Sequence, residues 1–241
     1  MGGLLVSTET IVVLAVTVAV AAFVQGASGL GFALIVAPVA GLLDPQLVPV
    51  FVLASMIPLN LYVAWRERAA LDLRGAGWIT AARLAATPGG LVLLWVIPDR
   101  RLGLFVGVAT VLAAVVSLAA PAFTPGRAAY LGAGLVTGLT ETATGVGGPP
   151  LALVYQHRPP AELRATVAVC FLVGEVASLA LLFATGQGSA AQLGWAAALL
   201  PALAAGALLS RLVHQRLDAR RMRLFVLLFA LVSGAGLMLG L

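Results

Sequence analysis

The sequence predicts an all-α polytopic membrane protein made of two homologous repeats, each with three full spans and a Gly-rich re-entrant hairpin or broken helix, the second repeat inverted relative to the first. Three observations predict it. Of the 241 residues, 61% are hydrophobic and only 10% charged, against roughly 25% charged in soluble domains. Apolar runs of 18 or more residues are unbroken by charge, as helical spans require, whereas barrel strands alternate apolar and polar residues over about 10 positions. Finally, two Gly-rich breaks lie inside hydrophobic stretches too long for one span: QGASGLGFALIVAP (Gln25 to Pro38) and ETATGVGGPPLALV (Glu141 to Val154). They superimpose at an offset of 116 residues, pairing Gln25 with Glu141, Ser28 with Thr144, Gly29 with Gly145 and Gly31 with Gly147. The repeats divide at 1–125 and 126–241 within a single membrane domain.

Eight apolar stretches run over 11–43, 47–65, 76–97, 102–121, 128–156, 163–185, 191–212 and 222–241. Six are close to the ~20 residues that cross a ~30 Å hydrocarbon core. The first and fifth are too long for one span and too short for two, which fits either a hairpin that returns to its own side or one discontinuous span. All 14 basic residues are Arg. If both long stretches return, Arg66, Arg68, Arg74, Arg127, Arg158, Arg164, Arg211, Arg216, Arg220, Arg221 and Arg223 share one side and only Arg100 and Arg101 the other. That 11-to-2 split obeys the positive-inside rule better than the 9-to-4 split of two single crossings. Returning only the fifth stretch gives the same count, and repeat symmetry favours two hairpins. Three crossings per half then invert the second repeat and place both termini outside, with the 211–223 loop in the cytoplasm. The amino-terminal segment lacks the basic n-region of a cleavable signal and is expected to remain in the mature chain.

Backbone that leaves the helix at membrane depth must be buried in protein or line a polar cavity, and interrupted spans at matching positions of two halves point to a substrate site at the midplane. Freed N–H groups where a half-helix begins favour an anion. The expected site gathers Gln25, Ser28, Gly29 and Gly31 from one break and Thr142, Thr144, Gly145, Gly147 and Gly148 from the other, meeting near the bilayer centre. The competing reading is that these small residues only allow close helix packing.

Intramembrane ionisable residues are functional candidates. Glu141 opens the second break, and Glu175 lies one position from the repeat equivalent of Asn60. Either carboxyl is a candidate proton carrier, with Glu141 favoured for its place beside the anion site, and each alternatively makes a structural hydrogen bond. Arg83 either snorkels to the interface or reaches inward, with Asn60, to an anion or a glutamate. His157 and His214 sit at loop edges, and Trp65, Trp78, Trp95 and Trp195 near span ends read as interfacial anchors. The lone Cys170 offers no disulfide framework or Cys-based metal cluster, so no metal site is expected. The basic residues fall in short loops without interleaved aromatics, which argues against nucleic-acid binding.

One further pattern, Gly26-Ala27-Ser28-Gly29, copies the surroundings of the serine in rhomboid-type intramembrane proteases. A hydrolase using Ser28 needs a histidine at membrane depth, and neither histidine is placed there. A non-transporting scaffold remains as an alternative, but it does not require polar residues duplicated at two breaks.

The first Gly-rich break, the loop Tyr62 to Arg68 with Leu71-Asp72 after it, and the second break with Leu163-Arg164-Ala165-Thr166 after it resemble the TauE/SafE family of sulfite exporters over essentially the whole chain. The resemblance implies a two-repeat, multi-pass permease of the bacterial inner membrane, a secondary carrier without cofactor that moves sulfite, an organosulfonate or a related small anion. Its partners are then that anion, the lipid bilayer and, if transport is coupled, protons; a homo-oligomer is compatible with the sequence.

Overall fold

The computed structural model describes residues 8–119, 125–213 and 219–239. Its described residues form eleven α-helices and no strand. The first apolar stretch becomes α1 (Thr8–Ser28) and α2 (Phe32–Leu43); α3 (Val50–Arg66), α4 (Leu73–Val96) and α5 (Asp99–Ala119) complete the first half. The fifth stretch becomes α6 (Arg127–Thr144) and α7 (Gly148–Tyr155), followed by α8 (Pro160–Ala184), α9 (Ala190–Ala198), α10 (Leu200–Val213) and α11 (Ala219–Leu239). His214 lies outside the described residues, as does Arg216 in the loop expected to face the cytoplasm.

Four helices, within α1, α4, α5 and α8, are long and apolar enough to cross a membrane, and the pair α9 and α10 makes a fifth if its 45° bend is one broken span. This differs from the six full spans expected. At 21 residues α1 alone reaches spanning length, while α3 and the apolar part of α11 fall short of it. The seventh stretch, expected to be continuous, bends at Leu199 because Pro201, in the first turn of α10, has no N–H to give the carbonyl four residues earlier.

Each break is built the same way. In the first, Gly29 N–H donates to Gln25 O at 2.7 Å, and the Ser28 hydroxyl donates to Val24 O at 2.8 Å while accepting from Leu30 N at 3.3 Å. In the second, Gly145 N–H donates to Glu141 O at 2.7 Å, and the Thr144 hydroxyl donates to Thr140 O at 2.8 Å while accepting from Val146 N at 3.1 Å. Gly29 and Gly145 hold φ of 86° and 75°, the left-handed region where a Cβ is strained. The hydroxyl one residue earlier then takes up a freed backbone donor. Beyond this the breaks diverge: Gly31 has φ 116°, whereas Gly147 has φ −134°.

Packing across the halves is reciprocal. The most extensive contacts join α4 with α6 and α1 with α10, while α3 packs on α8 and α5 on α11. Small residues set these distances. A Cβ on Gly134 or Gly138 of α6 would strike the Ile79 or Arg83 carbonyl of α4, and one on Gly206 of α10 would strike Ala19 O of α1. Close packing through small residues thus occurs at glycines inside the helices, and the glycines of the breaks, Gly29 and Gly145, combine such packing with the turn.

The loops after α3 and before α8 form one interface. Arg164 grips Glu67 through Nε at 2.9 Å and Nη2 at 3.1 Å, and Arg66 donates both to Glu67 at 2.9 Å and to Gly26 O at 3.1 Å. Asp72 accepts from the Tyr155 hydroxyl at 2.9 Å, and its own N–H donates to Thr166 Oγ1 at 3.1 Å. Burial alone would raise the Glu67 carboxyl, but Arg164 and then Arg66 hold it below its ordinary value of 4.5. A carboxylate with a depressed pKa stabilises the fold above its unfolded value, so this latch holds at neutral pH and weakens as pH falls below about 4.5.

The packing predicts opposite outcomes for two glycines of α6. Gly134→Val must push α6 off the α4 backbone, and overpacking of this kind costs about 1–3 kcal/mol or more, seen as a lower unfolding temperature in detergent. Gly132→Val, which meets nothing within 4 Å, should leave that temperature within about a degree of the parent.

Candidate functional site: a cavity between two broken helices and a buried charge cluster

The two turns do not meet at one level. Gly29 packs on Leu163 and Arg164 at the start of α8, and Gly26 O is held by Arg66 at the end of α3. Gly145 packs on Val52 in the first turn of α3, and the Thr142 hydroxyl pairs with Ser178 far along α8 at 2.8 Å. Val52 and Arg66 are about 14 residues, or ~21 Å, apart along α3. The turns therefore stand near opposite ends of the α3–α8 pair and pass one another side by side, with Leu30 against Gly148.

Where they pass, a cavity of about 310 Å³ opens, lined by Ser28, Leu30, Gly31 and Leu34 from the first break and by Gly148, Pro149 and Ala152 from the second. Gln156, Arg158, Ser117 and Leu163 complete much of its wall, and Arg158 is its one charged lining residue. Of the residues expected at the site, Ser28, Gly31 and Gly148 reach this wall. Gly29, Thr142, Thr144, Gly145 and Gly147 do not line it, since they build the turns or, for Thr142, hold α8. Arg158 was visible in the sequence only as a loop arginine; its convergence with the breaks follows from the short α7 returning the chain to them.

Gln25 and Glu141 lie behind the turns in a second, fully enclosed polar layer. Gln25 accepts from Phe32 N at 3.0 Å, closing the first turn of α2, and donates to Asn60 Oδ1 at 3.0 Å; Asn60 Nδ2 donates to Glu175 Oε1 at 2.7 Å. Arg83 Nη2, also from the first half, forms an ion pair with Glu141 Oε2 of the second, and both side chains are fully buried. Arg83 thus reaches inward rather than snorkelling. Its Nη1 donates to Cys170 O at 2.7 Å, and its guanidinium stands 5.4 Å from the Phe171 ring centre. Gly174 gives it room, for a Cβ there would overlap the guanidinium. Glu141 in turn lies 2.9 Å from the place a Cβ on Gly147 would take. Two groups of buried polar side chains, one reaching from the first break to Glu175 and one from the second break to Arg83, therefore approach α8 at the adjacent positions Glu175 and Gly174. Glu175 Oε2 has no hydrogen-bond donor within the described protein. Phe171, which also approaches Gly148, separates this layer from the cavity.

Two carboxyls share this layer with one guanidinium, and removing one member of a buried pair leaves an uncompensated charge at a cost of about 3–5 kcal/mol. Arg83→Met is accordingly expected to lower stability by that amount in detergent melts, and Arg83→Met combined with Glu141→Leu to recover at least half of it. A double-variant loss equal to the sum of the losses in Arg83→Met and Glu141→Leu alone would show that the pair contributes no coupling.

As for hydrolysis, the Ser28 hydroxyl donates to backbone carbonyls, Val24 O at 2.8 Å and Leu30 O at 2.7 Å, and not to a base. Among the described residues no group of three or more His, Cys, Asp or Glu is arranged to hold a metal ion. Comparison with curated proteins and with solved structures finds no match. The family model described as sulfite exporter TauE/SafE matches residues 14–237. With both breaks, the cavity between them and the buried charge layer all inside that span, the chain belongs to the TauE/SafE sulfite exporter family, a family of membrane transporters and not of enzymes.

Proposed function

We propose that this chain is a secondary carrier that exports sulfite or an organosulfonate across the bacterial inner membrane, with the anion seated in the cavity between the two breaks. The observation that carries this reading is the lining: both breaks contribute, and the one charged lining residue is a cation, Arg158, with no carboxylate on the wall. Gly31 and Leu34 bring the start of α2 to it, and the positive end of that helix adds to the attraction for an anion, whereas Pro149 and Pro150 leave the first turn of α7 with few N–H groups to offer. A volume of about 310 Å³ is several times the ~30 Å³ a water occupies in the liquid. With the apolar side chains of Leu30, Leu34, Val226 and Leu227 around it, it admits a short carbon chain on the sulfonate. The matched turns and the reciprocal packing of α4 on α6 and α1 on α10 support two repeats, and the inverted, re-entrant arrangement rests on the Arg distribution together with repeat symmetry.

In the buried layer, Arg83 balances Glu141, so the second carboxyl, Glu175, needs a proton to remain neutral away from water. In this reading Glu175 carries the coupled proton, in place of the Glu141 favoured from the sequence, and Glu141 is the fixed partner that holds Arg83. The Asn60–Gln25 bonds tie the state of Glu175 to the first turn of α2, at the edge of the cavity.

Purified protein in liposomes should carry sulfite or ethanesulfonate down its gradient, with sulfate and chloride slower by at least ten-fold. An imposed pH gradient should accelerate the flux. Glu175→Gln should keep downhill flux and lose the acceleration. Parent-level acceleration in Glu175→Gln would remove this residue from coupling, and no sulfonate or sulfite flux in the folded parent would remove the transport reading itself.

A further inference from the structure

A second pocket, of about 290 Å³, lies beside the first at the arginine-rich end of the bundle. It is lined by Asp72, Arg74, Trp78, Arg127, Tyr130 and Arg158, together with glycines and Pro125. Three guanidinium groups thus face one concavity whose lining holds a single carboxylate. That carboxylate is committed: Asp72 accepts from the Tyr155 hydroxyl at 2.9 Å and caps α4 by accepting from Gly75 N at 3.0 Å. The Arg127 guanidinium carbon stands 3.7 Å from the centre of the Trp78 ring, a cation–π contact that holds the charge at this pocket. Arg158 is hydrogen-bonded to Tyr130 and approaches Glu162 only at 3.7 Å. The N-terminus of α6 opens on the same pocket, and its N-cap, Gly126, has no side chain to satisfy the first turn. The decisive feature is continuity, because Arg158 lines this pocket and the inner cavity alike. Arginines that serve only to orient a chain in the bilayer do not need to converge. Arg68, for example, rests on the exposed Trp65.

We propose that Arg74, Arg127 and Arg158 form a second oxyanion station, where the sulfur oxyanion docks before Arg158 hands it to the cavity between the breaks. This rests on the reading that the inner cavity holds that anion. The outer station raises the local concentration of anions by electrostatic attraction and offers planar guanidinium donors suited to a sulfonate or sulfite head. The anion then passes inward to the cavity, whose apolar wall also admits a carbon body, and both stations share one arginine so that the anion is never without a cation partner. An anionic lipid headgroup carries the same oxyanion chemistry and is the competing occupant that the experiment must separate.

Trp78, beneath Arg127, supplies the readout. The full chain in phosphatidylcholine nanodiscs is titrated with sodium sulfite, and separately with ethanesulfonate, at constant ionic strength while tryptophan fluorescence is followed. A saturable change is expected that disappears in Trp78→Phe. In Arg74→Gln, which leaves the Arg127–Trp78 contact in place, the dissociation constant should rise by about 10-fold, the loss of one charge-assisted contact. Gly148→Val, which narrows the inner cavity, should leave the fluorescence change intact while lowering flux. Parent-like affinity in Arg74→Gln would overturn the outer station. So would a signal produced by adding phosphatidylglycerol with which sulfite does not compete, since that marks a lipid seat. Normal flux in Gly148→Val would instead count against the inner cavity and leave the Trp78 result standing.

Discussion

A guanidinium with no path to water is the constraint around which this bundle is organised. Arg83 is completely buried in a helix that meets lipid on its outer side, and an unpaired charge there is untenable. Its neighbours follow from that fact. Glu141 supplies the counter-charge, the Cys170 carbonyl takes a donor, and the Phe171 face lies nearby. Gly174 vacates the volume the guanidinium fills, and Gly138 lets α6 come close enough to α4 to bring Glu141 within reach. Because Glu141 is also the residue whose carbonyl closes the Gly145 turn, the charge pair and the second break are one construction.

The first break solves the same problem without a charge. Gln25 stands where Glu141 stands in the second half, and its amide accepts from Phe32 N and donates to Asn60. An uncharged residue here needs no arginine opposite it, and the equivalent end of the network runs into Glu175 instead. The two turns, built alike, are therefore backed by different chemistry, an amide relay from Gln25 to Asn60 behind the first and the Arg83–Glu141 ion pair behind the second. In the carrier proposed above, this difference links Glu175 to the first break through amides, while the salt bridge stays with Glu141.

Much of this was legible in the residues. The helical boundaries follow the apolar stretches closely, and the Gly-rich breaks fall at Gly29–Gly31 and Gly145–Gly147 because glycine, a hydroxyl and a polar residue recur at the same offsets. The bend at Leu199 was not legible. Pro38, Pro58 and Pro88 sit inside continuous helices, so proline alone does not mark where a span breaks. The inward turn of Arg83 was equally hidden, because it depends on the rotation of α4 against α6 and α8 and on the absence of a Cβ at Gly174. Site residues were read from the turns themselves, whereas the cavity wall uses their flanks. Thr142 and Thr144 have the right chemistry for an anion, but their hydroxyls are held by Ser178 and by the turn backbone. Arg158 escaped notice because nothing in a short loop sequence tells where α7 will return it.

The central claim is that one oxyanion sits between the two breaks. Selenite has the shape and charge of sulfite and carries an anomalous scatterer, so a crystal of the protein grown with it locates the anion directly. The account predicts an anomalous peak in the cavity bounded by Ser28, Gly31, Gly148 and Arg158. A well-occupied peak elsewhere in the membrane-embedded protein, with that cavity empty at saturating selenite, would contradict it.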